Sequence, residues 1–178
     1  MTPDDWVFLK SSKTTSLRLP IGWWTLGPFF CSGTSFKPYG EVYTEAWAWV
    51  KNYIYTAANH RIGVLIDLHA LPGGANEEEH SGTDTYKSEF WDNEEFKQLA
   101  IEALVFIARE VRDDPILRDW VVGIQVVNEA TVGAGARGMW NWYDAALAAI
   151  AQVDTTLPVY ISDSWDTKSA LDVSCAHH

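Results

Sequence analysis

Apolar and polar positions alternate in blocks along the chain, and the blocks predict strands and helices in turn. The runs 62–69 and 121–127 are almost continuously apolar, as expected of strands that are buried on both faces. Longer segments, such as 93–112, repeat apolar residues at helical spacing. The predicted strands are 14–22, 62–69, 121–128 and 157–163, and the predicted helices are 4–11, 41–60, 93–112 and 138–153.

This order of strand, helix and strand predicts parallel βαβ units, which leaves a doubly wound sheet or a (β/α)8 barrel. A doubly wound nucleotide-binding protein carries a G-x-G-x-x-G or G-x-x-x-x-G-K-[ST] motif after a strand. The glycine-rich segment LPGGAN, at 71–76, matches neither motif. We therefore expect an α/β chain that forms part of a (β/α)8 TIM barrel with parallel strands, as one partial domain over residues 1–178.

Polar or aromatic side chains stand at or just after the end of every predicted strand. In both parallel architectures the carboxyl ends of the strands form the face that binds ligands. The candidate site residues are Arg18, Trp23, Trp24, Asp67, His69, Asn128, Glu129, Asp163 and Trp165.

Glu129 is the strongest candidate for a catalytic residue. A carboxylate at the end of a buried strand needs a partner or a raised pKa, and groups placed in this way are often general acids. Asp67 lies inside an apolar strand, and we interpret it as structural, holding N–H groups of a loop. His69 could instead be a histidine of the core whose ring nitrogens are hydrogen-bonded within the protein. Arg18 could serve only as an ion-pair partner. Asp67, His69 and His80 could also be read as metal ligands, but their spacing is generic and no second cluster of ligands supports this interpretation.

Composition narrows the class of partner. The net charge of −11 argues against nucleic acid, which needs a basic face. Ten tryptophans suit a core and a sugar-binding cleft equally well. No apolar run is long enough for a membrane span, and the first residues do not read as a signal peptide. Cys31 and Cys175 show no metal or redox spacing.

Three motifs in this chain, RLPIGWW, VLIDLHALPGG and GIQVVNEA, together resemble glycoside hydrolase family 5, and most closely its fungal exo-β-1,3-glucanase-like members. The resemblance implies a (β/α)8 barrel, retaining hydrolysis of β-glucosidic bonds, no cofactor, and an extracellular or cell-wall location. It implies that Glu129 is the general acid/base and that Asn128 donates to the sugar 2-OH. Arg18 would face the nucleophile, and His69 would bind a sugar hydroxyl. Candidates to stack on sugar rings are Trp23, Trp24 and Trp165.

The chain departs from the family pattern in two ways. It has N-E-A where the family has N-E-P, and its predicted strands align with only the second to fifth strands of the barrel. The family's nucleophile ends the seventh strand, so we expect it to lie outside this chain. We expect the chain alone to be inactive and to self-associate through open barrel edges.

Two hypotheses for function therefore remain open. The first is a β-glucan hydrolase whose substrate is a β-glucan or oligosaccharide. The second is a non-catalytic carbohydrate-binding half-barrel or a degenerate, truncated glycosidase. The discriminating feature is a second carboxylate at the end of another strand. In either case, we expect the long loop 70–92 to wall the substrate cleft.

Overall fold

The computed structural model describes residues 1–131, 136–168 and 170. The strands are β1 (Ser16–Gly22), β2 (Gly63–Ala70), β3 (Val121–Gln125) and β4 (Val159–Tyr160). The α-helices are α1 (Pro3–Ser11), α2 (Pro28–Cys31), α3 (Ala46–Asn59), α4 (Glu94–Asp113), α5 (Pro115–Trp120) and α6 (Ala136–Ala151). Short 3-10 helices cover Trp23–Leu26, Lys37–Tyr43 and Glu79–Ser81.

The four strands form one sheet in the order β1-β2-β3-β4, and every pairing is parallel. In the register, Leu19 is opposite Ile66, Ile66 is opposite Ile124, and Ile124 is opposite Val159. Because strands that are adjacent in sequence are also adjacent in the sheet, their carboxyl ends lie along one edge. The prediction of an α/β chain with parallel strands is confirmed.

Helix α4 has 20 residues and contributes its apolar face to the core that it shares with the sheet. It begins after Asn93, whose side-chain oxygen accepts hydrogen bonds from two N–H groups of the first turn. A cap of this kind contributes about 1 kcal/mol. Its buried residues Leu104 and Ile107 join the same apolar core as Ile66 and Ile124 of the sheet. The apolar spacing in the sequence thus located the face of the helix that packs on the sheet.

Several boundaries differ from the sequence prediction. Strand β3 ends at Gln125 rather than at Asn128, and β4 has two residues. The chain beyond β3 stays close to β4, since the N–H of Val126 donates to the carbonyl of Tyr160 at 3.0 Å, but the regular ladder has already ended. The short helices α2 and α5 were not predicted. Cys175 lies outside the described residues.

The two outer strands of the sheet each have one partner in the described part of the chain. Strand β1 pairs with β2, and β4 pairs with β3. The other backbone edge of each strand has no strand partner within those residues. Within the same residues, no helix is both long and apolar enough to cross a membrane.

Candidate active site

A buried carboxylate, Asp67, organises the polar end of the sheet. Its side chain is fully buried on β2, and its Oδ2 atom lies 2.8 Å from Nη2 of Arg18 and 2.7 Å from Nδ1 of His69. Burial raises the pKa of Asp67, while the hydrogen bond to His69 and the charge of Arg18 oppose that rise. The prediction that Asp67 holds N–H groups of a loop is wrong, because its partners are these two side chains. It is nevertheless a structural residue, since it fixes both of them.

Arg18 connects three strands through its guanidinium. Besides the pair with Asp67, its Nη2 donates to Oδ1 of Asn128 at 2.6 Å, and its Nε donates to Oε1 of Gln125 at 2.9 Å. The planar donor fork of arginine suits such multiple contacts. Gln125 was not among the predicted site residues, although a lone polar residue inside an apolar strand is a signal that could have found it. The structure therefore brings Arg18, His69 and Asn128 into one network, and their contacts with a sugar and a nucleophile stay predictions.

Glu129 follows Asn128 on a turn beyond β3 rather than at the end of a buried strand. Its backbone has a φ of 43°, which lies in the left-handed region that few residues other than glycine adopt. The side-chain amide of Asn76 donates to the backbone carbonyl of Glu129 at 3.0 Å, and the N–H of Thr131 donates to the carbonyl of Ala75 at 3.2 Å. The turn directs the carboxylate outwards, so that the side chain is 52% exposed.

The loop after β2 brings a second histidine to the site. His80 lies in the 3-10 helix Glu79–Ser81, with its Nε2 atom 3.6 Å from Oε2 of Glu129 and its ring centre 5.2 Å from that of His69. Asp67, His69 and His80 are the metal ligands that the sequence left open. In the described ranges, no three histidine, cysteine or acidic side chains are grouped closely enough to hold a metal ion.

An open cavity of about 520 Å³ adjoins the carboxylate of Glu129, a size typical of ligand sites. The loop 70–92 supplies one wall of this cavity, and Trp165, which is 70% exposed, supplies another. The side chain of Asp163 accepts a hydrogen bond from the N–H of Trp165 at 3.0 Å, so Asp163 shapes the turn that carries the indole. The lining residues are Asn76, Glu77, Glu78, Ser88, Glu129, Thr131 and Trp165.

The other two predicted stacking residues occupy different environments. Trp23 is fully buried, so its proposed role of stacking on a sugar is wrong, and it serves as part of the core. Its ring lies edge-on to Trp24 and to Phe36 at centroid distances of 4.6 and 4.9 Å. Trp24 is half-buried and stacks on Phe36 at 4.3 Å, which occupies one of its faces. Of the three tryptophans, Trp165 is the one that lines the cavity.

A parallel sheet with a polar network at the carboxyl ends of its strands is the arrangement of a barrel enzyme's binding face. Solved structures that share this fold include a glycoside hydrolase and a hyperthermostable endocellulase. Another, the crystal structure of AoRut, superposes with a TM-score of 0.79 at 17% identity, over 98% of this chain and 50% of that chain. The chain is therefore an α/β chain with the architecture of a partial (β/α)8 barrel.

Relatives found by sequence similarity are named as a glucosidase and a glycosyl hydrolase. The chain is 35% identical to glucan 1,3-beta-glucosidase 3 of Schizosaccharomyces pombe, over 92% of this chain and 34% of that protein. It is 36% identical to an uncharacterized glycosyl hydrolase of Saccharomyces cerevisiae, over 90% of this chain and 32% of that protein. No protein-family model matches the chain. The resemblance to the fungal exo-β-1,3-glucanase-like members of glycoside hydrolase family 5 is confirmed, and the chain spans about a third of the length of these curated relatives.

Proposed function

We propose that this chain supplies the acid/base half of a retaining β-glucan hydrolase, with Glu129 as the general acid/base. The observation that carries the proposal is the network in which Arg18 contacts both Asp67 and Asn128, and Asp67 also contacts His69, beside a half-exposed Glu129. Relatives named as glucan 1,3-β-glucosidases support a β-glucan or a related oligosaccharide as the substrate.

Each side chain has a defined task in this reaction. Arg18 occupies Oδ1 of Asn128, which leaves the amide Nδ2 of Asn128 to donate to a sugar hydroxyl. Asp67 accepts from Nδ1 of His69, which leaves Nε2 to contact the sugar. Trp165 offers an exposed indole face next to Glu129, and the apolar face of a sugar ring can stack on it.

Retaining hydrolysis also needs a second carboxylate, about 5–5.5 Å from the first. In a complete barrel this nucleophile attacks the anomeric carbon while Glu129 protonates the departing oxygen, so that one glycosyl–oxygen bond forms as the other breaks. Water then gives a proton to Glu129 and its oxygen to the anomeric carbon, which releases the nucleophile. We place the nucleophile outside this chain.

A second candidate function is carbohydrate binding without hydrolysis. One observation favours it: apart from Glu129, the carboxylates that line the cavity in the described residues are Glu77 and Glu78 of the loop 70–92, whereas Asp67 on β2 is buried within its network. If no second carboxylate joins this site, the same cleft can bind a glucan but cannot form the covalent intermediate.

The experiment compares the chain alone with the longest natural polypeptide that contains it, on laminarin and on an activated aryl β-glucoside. We expect hydrolysis by the longer protein only, and we expect Glu129→Ala to lower its rate on laminarin by about 10²–10⁴-fold. Azide should restore cleavage of the aryl glucoside and yield a β-glucosyl azide. Glu102→Ala, on the outer face of α4, is the matched control and should leave the rate unchanged. Normal laminarin hydrolysis by Glu129→Ala would reject the assignment, and binding without hydrolysis by the longer protein would favour the second function.

A further inference from the structure

The proximity of His80 and Glu129 is set by rigid backbone on both sides. Exposed ion pairs usually contribute little, because two flexible side chains have to be held in one geometry. Here the Nε2 atom of His80 lies 3.6 Å from Oε2 of Glu129, and hydrogen bonds hold the main chain beside each residue. The groups that hold the two main-chain segments both belong to the loop 70–92.

Hydrogen bonds and close packing hold the turn that carries His80 against the end of β2. The next residue, Ser81, is fully buried, and its hydroxyl donates to the carbonyl of Asn76 at 2.8 Å. The carbonyl of Ser81 in turn accepts from the N–H of Leu71 at 3.0 Å. Gly82 has a φ of 93°, and a Cβ atom placed there would lie 2.4 Å from the ring of Trp23. The main chain on the carboxyl side of His80 therefore has little freedom to move.

Glu129 is held from the other side by the same loop. Its carbonyl accepts from the side chain of Asn76 at 3.0 Å, and Thr131 pairs with the carbonyl of Ala75. Trp91 also donates to that carbonyl, at 2.9 Å, so the loop is tied to its own far end at the same point. One loop thus fixes the backbones of both members of the pair.

We propose that His80 is a positioning residue for Glu129, an inference that rests on the proposed function. The imidazole Nε2 faces one carboxylate oxygen, Oε2, and so leaves the other oxygen for the glycosidic oxygen of the substrate. In the described part of the chain, charged or titratable groups near the pair include His69 on β2, with its ring centre 5.2 Å from that of His80, and Glu77 and Glu78, which line the cavity beside Glu129. Contacts of catalytic groups are often long before the substrate binds and shorten in the complex, which is consistent with a distance of 3.6 Å here.

A positioning role predicts an effect that depends on the leaving group. Dinitrophenolate leaves without a proton, whereas the sugar alkoxide of laminarin needs one from Glu129. In the longest natural polypeptide, we expect His80→Ala to lower kcat/KM on laminarin by about tenfold to 10²-fold, the scale on which small misplacements of catalytic groups act. On a dinitrophenyl β-glucoside, kcat/KM should stay within about twofold of wild type, since bond cleavage there needs no acid.

Two further variants complete the kinetic test. His80→Gln retains an N–H donor near the position of Nε2 and should recover most of the laminarin activity. His60→Gln, at the amino end of β2 where His60 stacks on Trp6, should leave both substrates unaffected. Equal losses on the two substrates in His80→Ala, or no loss on laminarin, would overturn the positioning role.

A spectroscopic measurement on the chain alone separates this inference from the proposed function. The ring Nε2 resonance of His80 should shift in Glu129→Gln and should stay in place in Glu102→Gln. An unchanged His80 resonance in Glu129→Gln would overturn the pairing. A shifted resonance, together with no hydrolysis by the wild-type longer protein, would support the pairing and contradict the proposed function.

Discussion

The side-chain amide of Asn76 donates a hydrogen bond to the backbone carbonyl of Glu129 across 3.0 Å, joining the loop after β2 to the turn after β3. The amide oxygen of the same residue accepts from the N–H of Glu78 at 2.9 Å. Asn76 is only 4% exposed, so water is largely excluded from these bonds. A single amide therefore holds both the cleft wall and the segment that bears the acid/base candidate.

We predict that Asn76→Ala destabilises the chain and disturbs Glu129. A buried polar group that loses its hydrogen-bond partner costs about 1–3 kcal/mol, and the change leaves the carbonyl of Glu129 without this donor. The free energy of unfolding in urea should fall by that amount. Asn141→Ala, on the exposed face of α6, is the control and should change it little. Equal stability of the two variants would show that water replaces the amide without cost.

Asp67 gives a prediction for the pH dependence of stability. Burial raises its pKa above the ordinary value of 3.8, so the folded chain binds the proton more tightly than the unfolded chain does. The stabilisation is complete below the unfolded-state pKa and is lost as pH rises through the folded-state pKa. The free energy of unfolding of wild type, relative to Asp67→Asn, should therefore fall as pH rises above 3.8. Urea unfolding over a series of pH values measures this difference.

Asp113 provides a control, because its contribution to the free energy of unfolding should change with pH in the opposite direction. Its hydrogen bond to Arg112 lowers the pKa of the carboxyl, so its contribution is present above the unfolded-state pKa and is lost as pH falls. Wild type should gain stability relative to Asp113→Asn as pH rises, and only slightly, because solvent screens this exposed pair. If wild type gains stability relative to Asp67→Asn as well, the pairing with Arg18 and His69 outweighs the effect of burial.

Trp165 should contribute to sugar binding without contributing to the core. It is 70% exposed and lines the cavity beside Glu129. We expect Trp165→Ala to weaken binding of a laminari-oligosaccharide by about fivefold to tenfold, or about 1–1.4 kcal/mol, in calorimetric titrations. Trp49 on α3 is 73% exposed and does not line this cavity, so Trp49→Ala is the matched control. Equal affinities of the two variants would place the sugar elsewhere.

The outer strands give a prediction about association. Unpaired strand edges promote pairing with another chain. We expect the chain alone to self-associate in sedimentation experiments, with β4 as one of the contact edges. Tyr160→Lys, on that strand, should shift the distribution towards the monomer, whereas Tyr39→Lys should not, although Tyr39 is more exposed at 60% against 48%. A wild-type chain that sediments as a monomer at all concentrations would contradict this prediction.

The sequence predicted the alternation of strands and helices because buried faces produce a regular apolar period. It placed the end of β3 too late, since Val126 and Val127 are as buried as the strand residues although the ladder ends at Gln125. The sequence could not predict that Trp23 is fully buried whereas Trp24 is half-buried. Phe36, from the loop that follows, packs against both rings, and no period in the sequence relates its position to theirs.

The site was predictable where its residues lie in or just after strands, and unpredictable where they come from the long loop. Arg18, His69 and Asn128 stand in motifs whose position on parallel strands brings them to one edge. Asn76 and His80 lie in the loop 70–92, where no period relates a residue to its position in space. Their contacts with Glu129 depend on how the whole loop folds over the barrel.

The close approach of Gly82 to the indole of Trp23 has a consequence for protein engineering. The loop 70–92 rests directly on a core side chain at Gly82, so a loop transplanted from a glycosidase would have to keep glycine at this junction, or Trp23 would have to be replaced by a smaller residue. Variation in the loop should therefore be tolerated between residues 83 and 88, where the chain is largely exposed, and not at the junction itself. Libraries that aim to change specificity are best confined to that exposed segment.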